Sequence, residues 1–167
     1  MNDFELILQQ RHVWIARYIL FQIKQMHKKN FKIILAVLFV LFTTIDQLYK
    51  YKIRQLGGFY VCNNGISFNI SFPYLFFWLI LAFIILSIFF IFLLKKYSQL
   101  HLLLFGLLLI LSGVFSNLLD RLILGCVVDY LFVFRNIFPA FNLADVFIFI
   151  GSFLFFFNYP LSFPPKS

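Results

Sequence analysis

Leu100-His101-Leu102-Leu103-Leu104-Phe105-Gly106-Leu107-Leu108-Leu109-Ile110-Leu111-Ser112-Gly113-Val114-Phe115-Ser116-Asn117-Leu118-Leu119-Asp120-Arg121 is hydrocarbon for most of its length, and apart from His101 at its start its polar residues gather in its second half. About 20 mostly apolar residues suffice to cross a bilayer as a helix, so Leu100–Leu119 reads as a membrane span with its chemistry at one interface. Outward from it, three further windows have the same character, Phe31–Tyr49, Phe72–Leu94 and Phe141–Tyr159. Hydrophobic residues make up 63% of the chain and charged residues 12%, and the mean hydropathy is +0.95. Soluble domains carry about twice that share of charge. The expected architecture is an all-α membrane protein of four transmembrane helices. Two segments are expected: residues 1–30, a cytoplasmic or interfacial extension, and residues 31–167, the four-span domain.

The basic residues orient the spans. Arg11, Arg17, Lys24, Lys28, Lys29 and Lys32 precede or open the first one; Lys95, Lys96 and Lys166 fall on the same side. Lys50, Lys52, Arg54, Arg121 and Arg135 fall on the other. Nine against five places both termini in the cytoplasm by the positive-inside bias. The net charge of +8 then reads as attraction to the lipid surface and not to nucleic acid, for which no interleaved basic and aromatic surface is present. Residues 1–30 read either as an amphipathic helix in the interface or as sequence preceding a true start at Met26.

After Glu5 the acidic residues are Asp46, Asp120, Asp129 and Asp145 and no others. In this topology all four collect at the outer leaflet. Ionisable groups at membrane depth are expensive and mark functional sites. Asp46 has Lys50 four residues on, which reads as an ion pair anchoring a helix end. Asp120 has Arg121 beside it and reads as a polar helix end tied down by that neighbour. Asp129 and Asp145 have no such base. Asn142 reads as the N-cap of the last helix, with Asp145 three residues on, as in a capping box. Two carboxylates close together near an apolar surface share a proton, and such a pair can activate water as base and protonate a leaving amine as acid. Asp129 and Asp145 are therefore the expected catalytic dyad of a membrane hydrolase.

No phosphate loop, zincin spacing or nucleophile elbow accompanies them, so neither metal nor cofactor is expected. Asn64-Gly65 is a turn signal, and Cys62–Phe68 reads as a small extended or hairpin element outside the membrane. Cys62 and Cys126 both lie in outer connections, where oxidation is feasible. The sequence does not bring them together, and two small buried residues is the plainer reading. The competing class is a transporter with an acidic relay. It requires polar residues through the whole depth, whereas Leu79–Phe92 holds only Ser87 and Leu102–Leu111 only Gly106 as exceptions to an apolar run. A purely structural membrane subunit leaves the unpaired aspartates unexplained.

Five blocks in order, Asp46-Gln47-x-x-Lys50, Asn63-x-Gly65-x-x-Phe68, Gly113-x-x-x-Asn117-x-x-Asp120-Arg121, Val127-Val128-Asp129-Tyr130 and Phe141-Asn142-Leu143-Ala144-Asp145, resemble those of bacterial lipoprotein signal peptidase (signal peptidase II). The resemblance covers about Phe31 to Tyr159. It implies an aspartic endopeptidase of the bacterial inner membrane that removes signal peptides from diacylglyceryl-modified prolipoproteins, acting as a monomer with membrane lipid around it. It implies Asp129 and Asp145 as the dyad and Asn117, Asp120, Arg121, Asn142 and Ala144 as residues that shape the site. Asp46, Asn63 and Gly65 would support substrate placement. The resemblance also implies a small extracytoplasmic β-rich cradle at Gly57–Phe72 and a connection, Leu122–Ala140, that carries Asp129 over the site. Cys62, Ile66, Ser67 and Tyr130 depart from the usual family residues.

Overall fold

A computed structural model describes residues 30–65, 74–96, 101–133 and 139–158. The chain divides into two compact units, 1–37 and 38–167. Of the first, residues 30–37 are described and helical; everything below concerns the second. The extension and the proposed start at Met26 lie outside the described residues.

Among the described residues there are four helices: α1 (Asn30–Gln55), α2 (Leu75–Lys96), α3 (His101–Leu124) and α4 (Leu143–Asn158). The first three are long and apolar enough to cross a membrane, while α4, at 16 residues, is shorter. At 1.5 Å per residue α2 is about 33 Å long, matching the ~30 Å hydrocarbon layer. It has no Gly or Pro, and its one hydroxyl, Ser87, bonds back to the Phe83 carbonyl at 2.8 Å. Phe77, Trp78, Ile85 and Ile88 are more than half exposed, as side chains facing lipid would be.

Burial is concentrated on α3. Leu103, Leu104, Leu107, Leu108 and Leu111 form its core face, and Ser112, Ser116, Asn117 and Asp120 continue the buried stripe toward the polar end. Phe115 receives Phe39 of α1 and Phe83 of α2, each with ring centroids 5.5 Å away. Helices α3 and α4 approach tightly where small residues meet: a β-carbon at Gly106 would stand 2.9 Å from the Gly151 carbonyl, and one at Gly113 would run into the Ala144 carbonyl. Membrane helices associate through such small-residue contacts. Gly113→Val is accordingly expected to force α3 from α4 and to cost about 1–3 kcal/mol. Thermal unfolding in detergent checks this, and an unchanged midpoint would refute the tight contact.

Gly125, at φ 79°, ends α3 with its amide bonded to the Arg121 carbonyl at 3.1 Å, and the left-handed turn leads into a short strand. Strand β1 (Val61–Asn63) pairs antiparallel with β2 (Val127–Asp129), Val61 opposite Asp129 and Asn63 opposite Val127. The extended element expected at Cys62–Phe68 thus finds its partner 66 residues away; its residues beyond Gly65 lie outside those described. That register brings Cys62 and Cys126 to a Cα–Cα distance of 5.5 Å, and they form a disulfide. This corrects the expectation of two separate buried cysteines: the ladder supplies a proximity that spacing along the chain does not reveal. Beyond β2, Leu131 bridges Phe141 through amide–carbonyl bonds of 2.8 and 3.1 Å. This bridge joins the segment after β2 to the residues that lead into α4.

Candidate active site

Lys50 is the hub of the polar end of the bundle, and it is fully buried. Its Nζ lies 2.7 Å from Asp46 Oδ2 and 2.8 Å from Asp120 Oδ2, and it donates to Asn117 Oδ1 at 2.8 Å. The two carboxylates find further donors. Asp46 accepts from the Ser116 hydroxyl at 2.7 Å and the Ala144 amide at 3.0 Å. Asp120 accepts from Gln47 Nε2 at 2.8 Å and the Val128 amide at 3.2 Å. A buried charge is tolerable only when paired and hydrogen-bonded, and both conditions are met. These bonds also tie α1 to α3, the start of α4 and β2.

Asp46–Lys50 is an ion pair as the spacing suggests, with both side chains fully buried in the protein. One expectation changes here. Asp120 pairs with Lys50 across helices, and no Asp120–Arg121 ion pair is found among the described residues. Consecutive helical residues point about 100° apart, so the adjacent arginine faces elsewhere. Arg121 instead donates to the Gly65 carbonyl and, at 3.3 Å, to the Asn117 carbonyl. Its buried Nε has no partner among the described residues.

Above this base sit Asp129 and Asp145, joined through Asn142. Asn142 donates its Nδ2 to Asp129 Oδ1 at 2.7 Å and its backbone amide to Asp145 Oδ2 at 3.0 Å. Its Oδ1 accepts from the Asp145 amide at 3.0 Å, which completes a reciprocal capping box at the start of α4. Asp145 Oδ1 accepts from Asn117 Nδ2 at 2.9 Å, and Asp129 Oδ2 accepts from Asn63 Nδ2 at 3.0 Å. Asn63 is itself oriented by the Gly65 amide, 3.0 Å from its Oδ1. Each carboxylate oxygen therefore holds one donor in place.

Asp129 is 3% exposed. Burial pushes its carboxyl up from the ordinary 3.8 to about 6; Asn63 pulls down, Asp145 pushes up, and Asn142 and Lys50 pull down. Such a group changes protonation near neutrality, as acid–base work demands. Among the described residues no group of three or more His, Cys, Asp or Glu is placed to hold a metal ion.

The structure thus gathers Asp46, Asn63, Gly65, Asn117, Asp120, Arg121, Asp129, Asn142, Ala144 and Asp145 into one hydrogen-bonded cluster. Sequence reasoning passed over Lys50, Gln47 and Ser116 as members. The available signal was Lys50 itself, since a lysine at i+4 from an intramembrane aspartate faces the same way as that aspartate.

A family model described as signal peptidase (SPase) II matches residues 38–160. The lipoprotein signal peptidase of Bartonella quintana is 36% identical over 144 residues, 75% of this chain and 85% of that protein. That of Chlamydia caviae is 37% identical over 126 residues, 71% and 74% of the two chains. Two solved structures of bacterial membrane enzymes, obtained by the in meso method, share the fold. Their TM-scores are 0.64 and 0.65 at 22% and 23% identity, with 80% and 77% of this chain covered and 93% and 94% of theirs.

Proposed function

The chain belongs to the signal peptidase II family, and from that membership we propose that it is an aspartic endopeptidase of the bacterial inner membrane. It cleaves the signal peptide from diacylglyceryl-modified prolipoproteins immediately before the lipidated Cys, with Asp129 and Asp145 as the catalytic dyad. The observation that carries this reading is the Asn142 bridge: one side chain and its amide hold both carboxylates, one of them on the loop and the other on α4.

In the proposed reaction the pair carries one proton between its two carboxyls. The ionised member takes a proton from a water, whose oxygen attacks the scissile carbonyl carbon. The protonated member gives its proton to the carbonyl oxygen. When the tetrahedral species collapses, the C–N bond breaks and the departing nitrogen takes a proton from the pair, which recovers one from a hydroxyl of the tetrahedral carbon as the carboxyl product forms and so regains its starting state. The four donors on the dyad oxygens keep both carboxylates oriented while the proton moves.

The positive-inside count supports four spans with both termini cytoplasmic, the site at the outer leaflet and the strand pair outside as a cradle. A lipid-bearing substrate then approaches sideways from the bilayer. Its acyl chains contribute about 0.8 kcal/mol per buried CH₂, so few side-chain-specific contacts are needed.

The test is cleavage of a diacylglyceryl-modified prolipoprotein by the purified chain in detergent, with product masses placing the cut. Failure of folded protein to cleave, or a cut elsewhere, sinks the reading. The acid limb of kcat/KM is expected at about pH 6, with activity falling as Asp129 takes up the second proton below that value. A limb near the ordinary carboxylate value of 3.8 would show that burial does not set the working protonation state.

A further inference from the structure

We propose that the Cys62–Cys126 disulfide is a positioning element for Asp129, so that turnover depends on the oxidation state of this cysteine pair. The proposal rests on the peptidase reading above and on its placement of the strand pair outside the cytoplasm.

Strand β2 is buried throughout and ends at Asp129, whereas β1 is largely exposed, Val61 at 43%. Each strand has three residues, and a two-stranded pairing of that size is marginal alone. Yet β1 supplies Asn63, whose Nδ2 holds Asp129 Oδ2 at 3.0 Å. The two cysteines flank this contact. Cys62 immediately precedes Asn63, and Cys126 lies three residues before Asp129. They are 64 residues apart in sequence, with α2 and α3 between them. The disulfide therefore fixes the register that aims Asn63 at Asp129, assisted at the Gly65 carbonyl by Arg121.

Formation is a two-electron oxidation. The Cys62 and Cys126 thiols exchange with the disulfide of an external thiol–disulfide oxidant; one S–S bond forms here, the oxidant's S–S bond breaks, and it leaves as two thiols with both protons.

The full-length chain is purified under oxidising conditions and the Cys62–Cys126 peptide is mapped by mass spectrometry without reductant. Cleavage of the diacylglyceryl prolipoprotein is then followed in the oxidised, phosphine-reduced and glutathione-disulfide-reoxidised protein. Reduction should lower kcat by roughly 10- to 100-fold, the scale of a small misplacement of a reacting group, with KM changed less than about twofold, and reoxidation should restore it. The acid limb of kcat should also move to higher pH, because Asp129 loses a bond that stabilises its ionised form. Asn63→Ala should show the same displaced limb, and reduction should move it no further in that variant, since the two changes remove one interaction. Cys62→Ser with Cys126→Ser should match the reduced protein.

Absence of the cross-linked peptide overturns the proposal. So does an identical kcat and acid limb in oxidised and reduced protein, or a loss that follows thermal stability while the limb stays put. No cleavage by oxidised wild type removes the peptidase reading itself, and this inference with it.

Discussion

Asp129→Asn and Asp145→Asn are each expected to lower kcat by roughly 10²–10⁴-fold, the span that positioned acid–base catalysis contributes, with the double variant little worse than either single one. The near-equality follows from shared function: a proton-sharing pair with one member gone has lost the pair, so the losses do not add. The hydrogen bonds sharpen the expectation. Both Asp129 oxygens accept, one from Asn63 and one from Asn142. An amide in that position presents an NH₂ where a neighbour already donates, so the substitution removes the base and reorients what surrounds it. At position 145 the side-chain oxygens accept from Asn117 and from the Asn142 amide. The second of these is a cap contact, of the kind worth about 1 kcal/mol. Melting temperatures must therefore be read beside rates, and a kcat loss in a variant that still melts near wild type identifies chemistry. If either single variant keeps activity within about tenfold of wild type, the dyad is misassigned and Asp120 becomes the next carboxylate to test.

How much of this was legible in the sequence depends on the range of the interaction. Local signals carried far. Rare carboxylates among apolar residues single out the members of the polar cluster, because their desolvation is too costly to be incidental. The Asn142–Asp145 spacing gave the capping box, which depends only on one helical turn. Helix bounds agreed to within a few residues at most ends; α1 runs on to Gln55 past the expected Tyr49, because Lys50 is satisfied inside the bundle. Contacts set by how helices cross were not legible. Asp120 has Arg121 beside it in the chain but pairs with Lys50 of α1, and an extended or hairpin element at Cys62–Phe68 does not itself reveal that its strand, β1, pairs with one that follows α3. The disulfide depends on that same strand register, so it was hidden for the same reason.

Lys50→Met is expected to be the most destabilising single substitution at the polar end of the bundle. The ammonium sits between Asp46 and Asp120, and all three side chains are withdrawn from solvent. The neutral donors around them, from Ser116, Ala144, Gln47 and Val128, supply hydrogen bonds but no positive charge. Removing one partner of a buried ion pair costs about 3–5 kcal/mol, because the remaining charge is left uncompensated, whereas replacing the whole set by neutral groups is far cheaper. Lys50→Met should therefore reduce the melting temperature steeply or prevent accumulation in the membrane. Adding Asp46→Asn and Asp120→Asn to it should recover much of the loss. Lys50→Arg should not rescue it, since a planar, longer guanidinium cannot occupy a site shaped for a compact ammonium. The triple variant separates stability from catalysis. Asn117 loses its Lys50 contact in it while keeping its bond to Asp145, so restored folding with low activity would show that Lys50 also aligns the dyad through Asn117. A wild-type melting temperature for Lys50→Met alone would mean that the surrounding neutral donors suffice for both carboxylates, and that the buried lysine is not what holds α1 to α3.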